Sequence, residues 1–160
     1  MAVRLSEELV EFIESGVSML VGTRDAALRP QIQRAVGAIV GADRESVTAY
    51  LAKAIAGKSV ANLEDNGCIA LTLSRPYDHR SLQLKGKLLG MRDATEIERV
   101  SQERWHAGFA EHLYIFGMPR SVIRQLAVFP SIAVTLRIDD MFVQTPGPGA
   151  GRRFEAGRGS

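Results

Sequence analysis

The chain has 160 residues, of which 46% are hydrophobic and 24% are charged. This length and composition are typical of one soluble globular domain and argue against a disordered, collagen-like or repeat-array chain. The formal net charge is only +2, from 20 basic and 18 acidic residues, whereas a nucleic-acid-binding domain is usually strongly basic. We therefore expect no nucleic-acid partner.

The positive charge is concentrated in two segments. Residues 53–92 carry seven basic and three acidic residues, and residues 147–160 carry three basic residues and one acidic residue. The body of the chain, residues 1–146, sums to zero. Local positive charge within a neutral body favours a small anionic ligand over a charged polymer.

Cysteine usage and hydropathy indicate the compartment. Cys68 is the only cysteine, so no disulfide can form within the chain and a reducing compartment is indicated. Its apolar neighbours predict a thiol in the core rather than a nucleophile. The N-terminal residues soon become acidic, unlike those of a signal peptide, and no apolar stretch approaches the roughly 20 residues of a membrane helix. We therefore expect a cytoplasmic protein with no membrane partner.

The first third of the chain predicts a helix followed by a three-stranded meander. Ser6 is a suitable N-cap for the helix, which ends near Gly16. Three β-type stretches follow, separated by short polar connections, as in an antiparallel meander. These strands are predicted over residues 17–24, 31–40 and 46–51.

The middle of the chain predicts a short helix and two strands. Asn66 and Gly67 form a stop signal for the helix. The predicted elements are a helix over residues 58–64, a strand over 68–74, a loop over 75–79 and a strand over 80–90. The last strand is apolar on one face only, so we expect solvent or a ligand on its polar side.

The last third predicts two helices, a long strand and a tail. A helix begins at Asp93 or Thr95 and reaches His112, and a second runs from Pro119 to Ala127. Clear alternation predicts the final strand over residues 131–143. The sum is an α+β protein built on a six-stranded antiparallel barrel with flanking helices, in one domain over residues 1–146. Residues 147–160 are rich in glycine, proline and arginine, and we expect them to be flexible.

Metal sites and nucleophilic catalysis have little support in the sequence. His106 and His112 are six residues apart, so they do not share a helix face as an i,i+4 pair does. Asp78, His79 and Ser81 include the residue types of a catalytic triad, but sequence neighbours rarely form one, and no G-x-S-x-G motif is present. We therefore predict no metal site and assign no catalytic residue.

A phosphate-binding turn is the more specific hypothesis. Gly57, Lys58 and Ser59 open the helix after the third strand, and a lysine, a hydroxyl and free N–H groups at a helix N-terminus suit a phosphate monoester. Arg34 lies on the second strand, and Arg80 begins the fifth, so an antiparallel barrel can bring them to one groove. The alternative interpretation is that Lys58 and Arg80 are ordinary surface cations.

Three parts of the chain, in order, carry a family resemblance. The first is the arginine-bearing stretch Pro30–Val36, and the second, from Val47 to Leu71, combines a strand, a basic turn, a helix and a further strand. The third is Arg80–Gly86, in which an arginine precedes alternating apolar residues and a glycine. Together they resemble the pyridoxamine 5′-phosphate oxidase-like family, the flavin-binding split barrels, over about residues 8–145.

This resemblance implies a split β-barrel that forms a homodimer and holds FMN in a groove between the subunits. It assigns Lys58 and Ser59 to the phosphate, with Arg34 alongside. Arg80 and Ser81 are expected near the ribityl chain or the ring. The backbone of residues 35–37 is expected to pass close to the isoalloxazine. The full set assigned to the cofactor is Arg34, Ala35, Val36, Gly37, Lys58, Ser59, Arg80, Ser81 and Gln83.

The sequence also departs from the oxidase that gives the family its name. That enzyme usually has glutamine where Ser81 stands, and a paired arginine and lysine where this chain has Lys58 and Ser59. Its C-terminal substrate-binding strand is replaced here by residues 144–149, which are rich in glycine and proline. The resemblance therefore implies an FMN-dependent oxidoreductase whose substrate is unassigned, with NADH or NADPH as a candidate electron donor.

The alternative function is a non-catalytic protein that binds or sequesters a flavin or haem. Some members of the family use a deazaflavin or bind haem, and the chain has three histidines, His79, His106 and His112. Turnover with an electron donor separates the enzyme from the binding protein.

Overall fold

The computed structural model describes residues 3–154, which form six β-strands and four α-helices. The strands are β1 Ser18–Arg24, β2 Pro30–Val40, β3 Ser46–Ala52, β4 Cys68–Ser74, β5 Ser81–Asp93 and β6 Ser131–Val143. The helices are α1 Glu7–Glu14, α2 Gly57–Asn66, α3 Glu96–Tyr114 and α4 Arg120–Ile123, and a short 3-10 turn precedes α2.

The six strands close into an antiparallel barrel in the order β1-β2-β3-β6-β5-β4. The predicted meander is present as β1, β2 and β3, and β6 closes the barrel by pairing with both β3 and β5. Alternate residues of each strand point inward and form the core, where side chains such as Val21, Leu71, Leu84 and Leu136 are fully buried. The expectation of an α+β protein built on a six-stranded antiparallel barrel is confirmed.

Local signals in the sequence set the helix ends. Ser6 caps α1 by accepting a hydrogen bond from the Leu9 N–H. Thr95 and Glu98 form a reciprocal capping box at the start of α3. Gly67 ends α2 in the left-handed conformation, with φ 64°, which glycine adopts without steric penalty.

Helix α3 covers one side of the barrel and is fixed there by buried polar contacts. The indole Nε1–H of Trp105 donates to the Val17 carbonyl over 2.8 Å. Nearby, Ser131 donates to Gln102 Oε1 over 2.8 Å, and both residues are buried. Gly37 on β2, with φ 122°, lies in a β-bulge directly beneath α3.

The largest differences between predicted and observed boundaries are at the ends of α4 and β5. Helix α4 ends at Ile123 rather than Ala127, because the N–H groups of Gln125 and Leu126 bond three residues back and tighten the chain into turns. Strand β5 continues to Asp93 instead of ending at Gly90, because its last residues keep pairing with β6 as far as Ile132.

The first half of the predicted flexible tail is hydrogen-bonded to the barrel. The Val143 N–H donates to the Arg152 carbonyl, and the Phe154 N–H donates to the Met141 carbonyl. Residues 147–154 therefore return alongside β6, although the sequence predicts a flexible segment. Residues 155–160, the rest of that prediction, lie outside the described residues.

The helices pack on only part of the barrel. Helices α1 and α3 lie against β2, and α2 lies near β1, β2 and β4, where its Asn62 and Asn66 side chains contact Thr23 and the Arg24 carbonyl. None of the helices in residues 3–154 is long and apolar enough to cross a bilayer.

Candidate functional site

The outer surface of β2, β1, β4 and β5, which are next to one another in that order, carries three of the nine candidate residues, Arg34, Ser81 and Gln83. We call this surface the open face. Its residues alternate with the inward-facing core residues of the same strands. The open face comprises Ile32, Arg34, Ser18, Leu20, Gly22, Arg24, Cys68, Ala70, Thr72, Ser74, Ser81, Gln83, Lys85 and Lys87.

Strand register places two of the predicted residues in one row across this face. Arg34 is opposite Leu20, Leu20 is opposite Thr72, and Thr72 is opposite Gln83. Three strand spacings therefore separate the backbones of Arg34 and Gln83, or about 14 Å. Ser81 lies in the adjacent row, opposite Ser74.

Arg34 is anchored on the open face without a carboxylate partner. Its Nη1 donates to Ser18 Oγ over 2.9 Å, and its guanidinium lies 5.5 Å from the centre of the Phe109 ring. No acidic side chain of residues 3–154 forms a salt bridge with it. The side chain is half-buried, so its charge is held in place and stays available to an anion.

The β4–β5 side of the open face is polar and internally hydrogen-bonded. Ser81 Oγ lies 2.7 Å from Ser74 Oγ, and Gln83 Nε2 donates to Thr72 Oγ1 over 2.9 Å. Each of these groups keeps further hydrogen-bonding capacity, because a hydroxyl has two acceptor sites and an amide has four sites in all. These side chains can therefore accept hydrogen bonds from, and donate hydrogen bonds to, a polar ligand that lies across the strands.

Arg80 lies at the edge of the open face and is already engaged. Its Nη2 donates to Glu8 of α1 over 2.6 Å, and its guanidinium lies 5.0 Å from the centre of the Phe12 ring. The interpretation of Arg80 as a surface cation paired within the chain matches these contacts.

The predicted phosphate turn is the uncapped start of α2. The N-cap residue is Ala56, which makes no side-chain cap, so the first N–H groups of the helix lack that partner. Lys58 is exposed and has no carboxylate partner among the described residues, and a Cβ at Gly57 would meet only open space. Ser59 is fully buried, and its Oγ has no hydrogen-bond partner among residues 3–154. These are groups that a bound phosphate would satisfy.

Ala35, Val36 and Gly37 lie apart from the open face. All three are buried, and an added Cβ at Gly37 would stand 3.5 Å from Gln102 and Trp105 of α3. Lys58 and Ser59 are also outside the open face, on α2. The structure therefore brings Arg34, Ser81 and Gln83 together on one surface, with Arg80 at its edge.

Sequence reasoning missed the partners that organise this surface. Ser18 accepts a hydrogen bond from Arg34, and Thr72 accepts one from Gln83. The alternation of inward and outward residues along β1 and β4 was the sequence signal that could have placed Ser18 and Thr72 on the outer surface. It also misplaced Cys68. The run Cys68–Leu71 is apolar, but strand alternation turns Ile69 and Leu71 inward and Cys68 outward, where it is half-buried instead of in the core.

The three histidines lie elsewhere in the molecule. His79 is in the loop before β5, His106 Nε2 lies 2.6 Å from the Ile123 carbonyl, and the His112 ring packs edge-on against Tyr77. Within residues 3–154, no group of three histidine, cysteine or acidic residues is arranged to hold a metal ion.

Comparison with solved structures identifies the fold. HupZ of Group A Streptococcus superposes with a TM-score of 0.57 at 16% sequence identity, over 92% of this chain and 99% of that one. An F420 reductase superposes at 0.58 and 13% identity, over 86% and 98% of the two chains. A putative pyridoxamine 5′-phosphate oxidase from Lactobacillus delbrueckii gives 0.55 and 15%, over 88% and 94%.

At these identities the likeness concerns architecture, and the chain has the split-barrel fold of the pyridoxamine 5′-phosphate oxidase-like proteins. No protein-family model and no curated protein sequence matches the chain.

Proposed function

We propose that the protein is a flavin-dependent oxidoreductase that binds FMN between the open face and the first turn of α2, as a cytoplasmic homodimer. The observation that carries the proposal is a set of unsatisfied polar groups at the positions expected for a flavin phosphate. Arg34 and Lys58 have no acidic partner in the described part of the chain, and Ser59 Oγ is buried without any partner. A phosphate monoester supplies the charge and the acceptors that these groups lack.

The open face also suits the remainder of a flavin. Leu20 and Ile32 are 38% and 64% exposed and offer apolar surface beside Arg34. Thr72 and Gln83 offer hydroxyl and amide groups in the next strands, which suits the hydroxyls and ring heteroatoms of the cofactor. The fold supports this assignment, because the F420 reductase and the putative oxidase share it.

A second copy of the chain is the proposed cover of the cofactor. Exposed large apolar side chains such as Leu20 and Ile32 favour association with another protein surface. The interior of this 160-residue barrel is filled by its own side chains, so it has no room for a flavin. Two open faces that meet around Leu20 and Ile32 would exclude water from the ring.

The chemistry itself belongs to the cofactor, which exchanges hydride or electrons when bound. The protein's contribution is to bind and orient it: Lys58 and the uncapped α2 turn hold the phosphate, Arg34 neutralises charge, and Gln83 aligns the polar edge. We assign no acid or base on the open face. The three histidines lie off the open face, which favours a flavin over haem.

A fluorescence titration with FMN tests the proposal. Wild-type protein is expected to quench flavin fluorescence to saturation at one FMN per subunit, and Lys58→Ala to weaken binding about tenfold, the effect of losing one charge-assisted contact. Lys53→Ala is the matched control, because Lys53 is an exposed lysine in the 3-10 turn before α2 that already pairs with Asp93. Absence of quenching by wild-type protein, or equal loss in both variants, would overturn the assignment.

Reduction of the bound flavin separates the enzyme from a flavin-sequestering protein. Mixing the FMN complex with NADH or NADPH in a stopped-flow instrument should bleach the flavin absorbance, and an added acceptor should restore it. If FMN binds but neither donor reduces it, the binding protein replaces the oxidoreductase as the proposed function.

A further inference from the structure

A second group of basic side chains lies on the open face at the end nearest the C-terminus of α2. In the register of the barrel, Cys68 is opposite Lys87, and Ala70 is opposite both Gly22 and Lys85. Arg24 reaches Cys68 from β1, with Nη2 3.5 Å from Sγ. These positions form two rows, beyond the row that contains Arg34 and Gln83.

The two rows border an open cavity of about 400 Å³, which is within the usual size range of small-ligand sites. Its floor is formed by Gly22 and Ala70, whose lack of long side chains leaves the space open. Arg24, Cys68 and Lys85 line its sides. We call this cavity the basic pocket, with Lys87 at its rim.

The positive charges of the basic pocket have no acidic partner in residues 3–154. Arg24 contacts the Asp25 carbonyl, Lys87 contacts the Asn66 carbonyl, and Lys85 lies over the Phe142 ring at 4.7 Å. Asp140 is opposite Lys85 in the β5–β6 register, but its carboxylate pairs with Arg153.

Many arginines elsewhere on the surface are paired: those at positions 29, 44, 75, 80, 92 and 99 each bond a carboxylate. Three like charges in one cavity repel each other unless an anion joins them. The pocket therefore presents an uncompensated positive field in a space of ligand size.

Cys68 supplies a partial counter-charge and a chemical reporter. Its Sγ lies 3.0 Å from Lys87 Nζ, and this hydrogen bond, with the charges of Lys87 and Arg24, lowers the pKa of the thiol below its ordinary value. Even as a thiolate, it balances only one of the three positive charges. Two charges remain for a ligand.

We propose that the basic pocket binds a small organic dianion, a dicarboxylate or a phosphate ester, with one acidic group against Lys85 and the other against Arg24. The flavin phosphate is assigned to Lys58 and Arg34, so this ligand occupies a separate part of the open face. The inference rests on the cavity and its charges, and it holds whether or not FMN binds.

Protection of Cys68 from alkylation tests the pocket directly. The native protein is treated with iodoacetamide, an uncharged reagent, and the alkylation rate is followed by intact mass at constant ionic strength set with NaCl. Succinate and inorganic phosphate are the two dianion probes, and succinamide is the uncharged analogue of succinate. At about ten times its dissociation constant, a bound dianion is expected to slow alkylation about tenfold, with succinamide having no effect. Comparing the succinate and phosphate midpoints identifies the preferred class.

Lys85→Gln sharpens the test, because Lys85 contacts the Phe142 ring and not the sulfur. This variant should raise the dianion midpoint about tenfold, with protection measured against the variant's own alkylation rate without dianion. Lys53→Gln, which removes a lysine outside the pocket, should leave the dianion midpoint unchanged.

Three outcomes would overturn the proposal. The first is an alkylation rate that neither dianion lowers relative to NaCl at the same ionic strength. The second is a native Cys68 that does not react at all, which would mean that the cavity is closed. The third is protection by FMN that Lys58→Ala abolishes, because the cavity would then belong to the flavin site. If FMN fails to bind but succinate still protects Cys68, the proposed function falls and the basic pocket stands.

Discussion

The two sides of the barrel differ in whether their polar groups find partners within the chain. Under α3, Glu98 accepts hydrogen bonds from Arg92, from the Tyr50 hydroxyl and from the Thr95 backbone, and Trp105 donates to the Val17 carbonyl. On the open face, Arg34, Arg24, Lys85 and Lys87 have no carboxylate partner among the described residues.

This contrast separates two kinds of contribution. Polar groups whose partners lie within the chain stabilise the fold, because an unmade buried hydrogen bond costs more than a made one contributes. Basic groups left without partners contribute little to stability and are available to a ligand. The α3 side should therefore respond to mutation through stability, and the open face through binding.

The largest expected effect is on the α3 side, from Trp105→Ala. Trp105 is 3% exposed and stacks on Phe109 at 5.1 Å, so its removal leaves a cavity and an unpaired Val17 carbonyl. We expect a loss of about 4 kcal/mol in the free energy of unfolding. Leu20→Ala is the matched truncation on the open face and should cost about 0.5 kcal/mol. Urea unfolding followed by circular dichroism measures both, and equal losses would contradict the distinction.

Next in size is a pair of glycine substitutions. A Cβ at Gly16 would overlap the Gly108 carbonyl carbon of α3, so Gly16→Ala must displace the helix backbone and should cost about 3 kcal/mol. A Cβ at Gly22 would meet only ordinary contacts at 3.9 Å with Ala70. Gly22→Ala should therefore change stability by less than about 0.5 kcal/mol. Thermal unfolding compares the two, and a Gly22→Ala variant as unstable as Gly16→Ala would break the comparison.

A smaller, pH-dependent effect is expected at Glu98. The hydrogen bonds from Arg92, together with those from Thr95 and Tyr50, lower the pKa of Glu98 from 4.5 to about 2. A carboxylate with a depressed folded-state pKa stabilises the fold above the unfolded pKa, and that stability is lost as pH falls from about 4.5 towards 2. Glu98→Gln should cost about 1.5 kcal/mol at pH 7.

The difference between the wild type and Glu98→Gln should shrink as pH falls from 5 to 3. Urea unfolding at several pH values measures it. Glu103→Gln is the control: Glu103 is exposed and pairs only with Arg99, so this variant should lie within about 0.5 kcal/mol of wild type. A difference for Glu98→Gln that stays constant down to pH 3 would contradict the assigned ionisation.

The smallest expected change in stability is on the open face, from Arg34→Gln. The side chain has one hydrogen bond, to Ser18, so the free energy of unfolding should change by about 0.5 kcal/mol or less. The FMN dissociation constant should rise about tenfold, because one charge-assisted contact is lost. A large loss of stability with unchanged FMN affinity would contradict the claim that Arg34 serves ligand binding and not the stability of the fold.

Much of the barrel could be predicted from the sequence because its signals are local. The alternation in residues 131–143 predicts β6 with its observed bounds. The sequence predicts that α3 begins at Asp93 or Thr95, and the structure shows that Thr95 is the N-cap. Helix α4 was predicted too long, because a change from four-residue to three-residue hydrogen bonds has no strong sequence signal. The pairing of β6 with β3 could not be predicted from local patterns, because it joins segments about 85 residues apart in the sequence.

The candidate site was predictable only where a local pattern carried it. Arg34 and Gln83 lie on the polar face that alternation gives to their strands, and the family resemblance assigned both. Arg24 and Cys68 are 44 residues apart and meet only because β1 pairs with β4 in one register. No pattern within either strand predicts that meeting, so the basic pocket emerges only from the structure.

Hydrogen exchange with and without FMN tests directly whether the first turn of α2 binds the flavin. The backbone N–H groups of Lys58 and Ser59 start an uncapped helix, so their exchange should be fast in the free protein. We expect FMN to slow exchange in the peptide that spans residues 53–60, while peptides from α3 stay unchanged. Protection confined to α3 and α4, or no change at residues 53–60 with saturating FMN, would contradict the claim that the α2 turn and the open face are the ligand-binding side of the barrel.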